Sequence, residues 1–174
     1  MKPLFIFIWI FPVIFILHDF EEIIMITAWK QRNKKYIESL KIRHIPIDFN
    51  ASTAAFSIAV AEEFLIISII TLVSSLISNY IVWYGFFIAF TIHLFIHLFQ
   101  FLFFKKYVPS IITSIIFIPI SCFIIYKTTM LLNYNSSASL VSILICTIIM
   151  VINVLFLHKV MEKFDFWLEC YSNS

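Results

Sequence analysis

Five apolar runs, each close to the length of about 20 residues that a helix needs to cross a bilayer's hydrocarbon core, dominate this 174-residue chain. They lie at about 4–29, 51–78, 80–104, 108–126 and 139–157. Inside lipid every backbone N–H and C=O must be satisfied by the protein itself, which leaves helices and closed barrels. Barrel strands alternate with period two over about ten residues. These runs are longer and do not alternate, so they predict helices. The fold class is an all-α membrane protein, one domain made of a bundle of five transmembrane helices. With 62% hydrophobic and 13% charged residues, little polar sequence remains for a soluble domain. No small-residue cleavage site follows the first apolar core, so that run reads as a span and not as a cleaved signal peptide. Cys122, Cys146 and Cys170 are far apart. They form neither a disulfide framework nor a CxxC metal site, and read as small hydrophobes.

Charge distribution predicts orientation. Lys30, Arg32, Lys34, Lys35, Lys41 and Arg43 follow the first span, Lys105 and Lys106 the third, and Lys159 and Lys163 the fifth. Alternating spans bring all ten to one side, leaving Lys2 and Lys127 on the other. The positive-inside pattern then gives N-terminus out and C-terminus in. The expected location is a membrane whose cytoplasmic side carries the basic residues. Residues 30–49 read as a basic cytoplasmic loop resting on anionic headgroups, so membrane lipid and not nucleic acid is the expected partner. In the tail, 159–174, Val160, Phe164, Trp167 and Leu168 recur at helical spacing. It is expected to continue span five as a short interfacial amphipathic helix. Residues 133–137 read as a polar turn.

Half of the ten carboxylates (Asp19, Glu21, Glu22, Glu62 and Glu63) and three of the five histidines (His18, His93 and His97) fall inside the spans. On the lenient insertion scale a charge at mid-membrane costs about 2.5–3.5 kcal/mol. Five ionised carboxylates would cost more than about 10 kcal/mol uncompensated, and no lysine or arginine lies within the runs to offset them. Protons, bound cations, histidinium or water must do so. At a rise of about 1.5 Å per residue, His18, the Glu62–Glu63 pair, His93 and His97 share one layer, about 10–18 Å from the cytoplasmic helix ends. His18, Glu21 and Glu22 are at i, i+3 and i+4, and His93, His97 and Gln100 at i, i+4 and i+7, so each set shares a face. Ala51, Ala55 and Ala59 form a small-residue stripe that permits close helix approach and turns Glu63 toward the bundle. Pro12 is a candidate kink beside the site.

Blander readings exist for each residue singly. His93 alone is as often a helix–helix hydrogen bond, and Glu63 alone a protonated packing group. Asp19 lies off the shared face. His158 and Glu162 read as a surface pair, and His44 as a loop residue. Gln100 and Asn153 are candidate donors behind the ligands, or interhelical hydrogen bonds.

His18-x-x-Glu21-Glu22 near the end of a first span resembles the signature of the HXXEE family, small and mostly bacterial membrane proteins whose biochemical function is not established. A second stretch, His97 followed by Tyr107-x-Pro109 and Thr113, is also similar. The family commonly has glycine after the proline, where this chain has Ser110, a departure that bears on the local turn. The resemblance implies a metal-dependent membrane enzyme with His18, Glu21 and Glu22 at its centre.

Imidazole and carboxylate together suit a divalent transition metal, zinc or iron above all. The candidate ligands are His18, Glu21, Glu62, His93 and His97, with Glu22 and Glu63 as catalytic general bases. The leading expectation is a hydrolase acting on a lipid or other apolar small molecule that enters from the membrane. Two alternatives stay open: a metal-free acid–base enzyme of isomerase type, and a proton- or cation-coupled transporter. Five spans make no inverted repeat, which weighs against transport unless the chain forms a homodimer.

Overall fold

Helices α1 (Lys2–Ser39), α2 (Thr53–Ile77), α3 (Ile81–Phe104), α4 (Ile111–Leu132) and α5 (Ser136–Ser172) make up nearly all of a computed structural model that describes residues 2–39 and 51–173. Each is long and apolar enough to cross a membrane. The chain is an all-helical membrane protein, and its outer face carries side chains suited to lipid, among them Ile24, Ile69, Leu76, Phe99 and Ile152, all exposed.

Helix ends differ from the sequence reading where polar residues obscure them. Residues 30–39, read as loop, continue α1 to Ser39, because this stretch holds good helix formers and neither proline nor glycine. Asn33 donates to the Trp29 carbonyl (2.9 Å), and Tyr36 packs against Phe104. The remainder of that loop, with Lys41, Arg43 and His44, lies outside the described residues. Residues 159–172, expected to continue span five, do so as the unbroken end of α5. The α4–α5 turn is shorter than expected: Asn133 closes α4 at φ 46°, and the Asn135 side chain accepts from the Ser137 N–H (3.0 Å) to start α5.

The helices pack as a closed ring in the order α1–α2–α5–α3–α4, with α3 also reaching α1 and α2 across it. Phe11, Trp83, Phe87 and Phe90 fill the centre, all fully buried. Phe11 meets the Trp83 and Phe87 rings edge-on at 6.0 and 5.0 Å. Pro12 lies inside α1, where its missing N–H leaves the Ile8 carbonyl unpaired. The Trp83 indole donates to that carbonyl at 3.2 Å. The cost of the proline thereby becomes an α1–α3 tether just above the ionisable layer.

Gly85 marks the close approach of α3 to α5. A Cβ there would sit 2.7 Å from both Cys146 Sγ and Ser142 Oγ, so no larger residue fits without displacing α5. Ala55 and Ala59 are buried against Leu157 and Met161 of α5. At the start of α2, Ser52 accepts from the Ala55 N–H (3.1 Å). Ser52 in turn donates to Asp165 of α5 through its backbone N–H (2.8 Å) and its hydroxyl. A carboxylate from the end of α5 therefore caps α2, offsetting the helix dipole and the orphan donors of its first turn.

Candidate metal centre

Successive residues on a helix are about 100° apart. Around α1, taking His18 as zero, Glu21 therefore falls about 60° to one side, Glu22 about 40° to the other, and Asp19 about 100° to that same side. In the ring, α4 flanks α1 on one side and α2 on the other. The three carboxylates of the His18–Glu22 segment are accordingly distributed among different neighbours.

His18 points inward to α3. Its ring centroid lies 5.4 Å from that of His93 and 5.1 Å from that of His97. His93 and His97, one turn apart, stand perpendicular with centroids 4.5 Å apart and facing Nε2 atoms 3.0 Å apart. Glu22 Oε2 lies 3.8 Å from His97 Nε2. One ligand atom from each of His18, Glu22, His93 and His97 falls within 4.8 Å of all the others. Four ligands placed tetrahedrally at zinc distances sit about 3.3 Å from one another, so modest side-chain adjustment brings these four onto one ion. His18 is fully buried. Its Nε2 has no hydrogen-bond partner, which is costly unless something electrophilic meets it.

Glu21 turns to α4. Its Oε1 accepts from the Tyr107 hydroxyl (2.8 Å) and the Ile112 N–H (3.3 Å). Its Oε2 accepts from the Thr113 N–H (2.8 Å) and hydroxyl (2.7 Å). Ile112 and Thr113 are in the first turn of α4, so Glu21 caps that helix from outside. Burial and the adjacent Glu21 carboxyl push the Tyr107 phenol above its usual range. Ser110, just before α4, is in the left-handed region at φ 65°, where glycine has no steric penalty. Its hydroxyl donates to the His18 carbonyl (3.3 Å), a tie that a glycine would lack. Trp29 seals the same loop by donating to the Tyr107 carbonyl.

Of the residues singled out from sequence, the structure gathers His18, Glu22, His93 and His97 into one cluster. Glu21 is engaged at the start of α4. Glu62 accepts from Asn153 Nδ2 (3.0 Å), so these two form an α2–α5 bond away from the imidazoles. Glu63 lies within electrostatic reach of Glu22 and Asp19. Gln100 and the Pro109 backbone lie beside His97. Asp19, read as off the functional face, is buried on the α2 side. Thr113, which also lies 3.1 Å from His18 Nδ1, stood out in the sequence only through the second stretch similar to the family. Its contact with α1 spans 95 positions of sequence and leaves no local pattern. A cavity of about 860 Å³ opens elsewhere, between the C-terminal parts of α1 and α5, lined by Lys30, Glu162, Asp165 and Glu169. None of the imidazoles lines it.

Fold and site together define a five-helix membrane protein with a partly buried histidine–carboxylate cluster spanning α1 and α3. The family model described as "Protein of unknown function with HXXEE motif" matches residues 9–124, and the chain belongs to that family. The match contains all four residues of the cluster and its Glu21–Thr113 support, and stops before α5. No curated protein and no solved structure matches the chain.

Proposed function

We propose that this chain is a metal-dependent membrane hydrolase acting on a lipid or other apolar substrate. The observation that carries the reading is the buried, unpartnered Nε2 of His18, a residue that clusters with His93, His97 and Glu22. Three imidazoles and a carboxylate are a donor set suited to zinc or iron. His18, His93, His97 and Glu22 would hold a divalent ion, which when bound would supply a Lewis acid and lower the pKa of water toward neutrality. Glu63, with Asp19 beside it, accepts the proton from the attacking water. As the substrate's carbonyl–heteroatom bond breaks, Glu63 returns that proton to the leaving group. The apolar exterior of α1 to α3 favours a substrate that arrives from the membrane.

The test is a pair of measurements on protein purified in detergent. Wild type should retain about one equivalent of zinc or iron, and Glu63→Gln should retain it too while losing hydrolysis across a panel of lipid esters and amides. Glutamine keeps the size and hydrogen bonding of glutamate but cannot take a proton. Fully folded wild type without metal would leave the acid–base and transport alternatives. Equal hydrolysis by Glu63→Gln would remove Glu63 as the base.

The same proposal takes the N-terminus as outside and the C-terminus as inside a bacterial cytoplasmic membrane. It also takes the end of α5, with Phe166, Trp167 and Tyr171 exposed, as lying at the interface. Lys30, Arg32, Lys34 and Lys35 on the α1 extension, Lys105 and Lys106 after α3, and Lys159 and Lys163 on α5 support this orientation. A reporter fused after residue 174 should be active on the cytoplasmic side, and one inserted in the 133–135 turn on the outer side. Opposite labelling at both positions would reverse the orientation.

A further inference from the structure

The geometry points to Glu21 and Thr113 as positioning residues that hold His18 in the tautomer protonated on Nδ1, so that Nε2 presents its lone pair to the cluster. The assignment follows from counting protons. The Thr113 hydroxyl carries one hydrogen and has three polar neighbours: Glu21 Oε2 at 2.7 Å, the Ser110 carbonyl at 3.2 Å and His18 Nδ1 at 3.1 Å. A carbonyl oxygen is only an acceptor, and Glu21 Oε2 already accepts from the Thr113 N–H. The hydroxyl hydrogen therefore goes to one of these oxygens, with the short bond to the carboxyl preferred. Thr113 Oγ1 is left with lone pairs toward His18, and Nδ1 must donate to it. A neutral imidazole carries a single N–H, so His18 Nε2 is bare. It is also fully buried and without a partner.

The relay runs from Glu21 through Thr113 to His18 and ends at the cluster. Metal-binding histidines commonly have such an acceptor on the far ring nitrogen, which sets both tautomer and ring orientation. Here the carboxyl acts at one remove, and the intervening hydroxyl belongs to the helix that Glu21 caps. The sequence His18-x-x-Glu21-Glu22 then divides its labour. His18 and Glu22 face the cluster, while Glu21 orients His18 from behind. This inference rests on the metal-centre reading for its purpose, but the tautomer exists without metal.

That independence sets the experiment. Metal-free protein labelled with ¹⁵N-histidine in detergent micelles reports the tautomer of each ring by long-range ¹H–¹⁵N correlation, with His18 assigned by its loss in His18→Ala. Wild type and Thr113→Ser should both show the Nδ1-protonated form. Thr113→Val is isosteric, keeps the backbone N–H bond to Glu21 and removes the hydroxyl, so it should populate both tautomers. Zinc affinity, measured by chelator competition on the same samples, should fall about 10–100-fold in Thr113→Val and stay close to wild type in Thr113→Ser. Nε2-protonated His18 in wild type overturns the proposal whether or not zinc binds. So does a Thr113→Val spectrum identical to wild type. The Nδ1-protonated form in protein that binds no zinc would support the positioning role and remove the metal-centre reading alone.

Discussion

Replacing His18 or His97 with alanine is expected to strip the protein of its metal while leaving the metal-free fold nearly intact. Structural zinc sites bind with about 10–16 kcal/mol, so one of four ligands accounts for about 3 kcal/mol, or more than a hundredfold in affinity. Both side chains are buried, and each truncation opens a cavity. That loss is partly offset because a polar ring nitrogen leaves an apolar environment. Glu22→Gln should have the same effect on the metal, since an amide oxygen is a much poorer ligand than a carboxylate. Elemental analysis after a chelator challenge reads the result directly. Glu169→Gln, at an exposed position near the end of α5, serves as the control and should match wild type. Retention of a full equivalent by His18→Ala and His97→Ala would mean that the ion sits elsewhere, or that the imidazoles serve packing alone.

Glu21→Ala should behave in the opposite way, with its main effect on stability. Four donors converge on the Glu21 carboxyl: two backbone N–H groups, the Thr113 hydroxyl and the Tyr107 hydroxyl. Leaving a buried donor unpaired costs about 1–3 kcal/mol. Some of these groups will find water or new geometry, so the expected loss is about 3–5 kcal/mol. Glu21→Gln keeps one acceptor oxygen and should lose roughly half as much. Unfolding followed in detergent with excess chelator separates this role from a ligand's, because no metal is then present in any sample. Under those conditions Glu21→Ala should unfold well before wild type and His18→Ala close to it. If Glu21→Ala matched wild type in chelator but lost metal, Glu21 would serve the metal, as a ligand or through Thr113 and His18, and not as a cap.

The difference between Glu21 and Glu22 also marks how far local pattern reaches. Both are adjacent acids on the same helix as His18, and helical spacing groups all three on one broad face. The i+3 and i+4 positions, however, lie on either side of His18 by about 60° and about 40°. Which neighbour each one meets depends on the ring order, with α4 on one side of α1 and α2 on the other. Nothing in the sequence of α1 encodes that order. The same holds for Asp19: spacing places it off the shared face of α1, and that this face is covered by α2 follows only from the ring order. Glu62 and Glu63 divide likewise, one meeting Asn153 of α5 and the other facing α1.

The five helices, their approximate spans and the shared layer of His18, His93 and His97 were determined by sequence alone. The bilayer allows the backbone few structures, and a fixed rise per residue turns position into depth. Helix ends were less legible, since polar extensions such as residues 30–39 leave the apolar run yet remain good helix formers. Tertiary structure alone decided three things: the pairing of Pro12's orphaned carbonyl with Trp83, the capping of α4 by Glu21, and the approach of Thr113 to His18. Each joins groups from different parts of the chain through directional hydrogen bonds. Hydrophobic periodicity specifies which face of a helix is buried, but directional bonds depend on the rotation and neighbour of each helix, which are set only once the bundle closes.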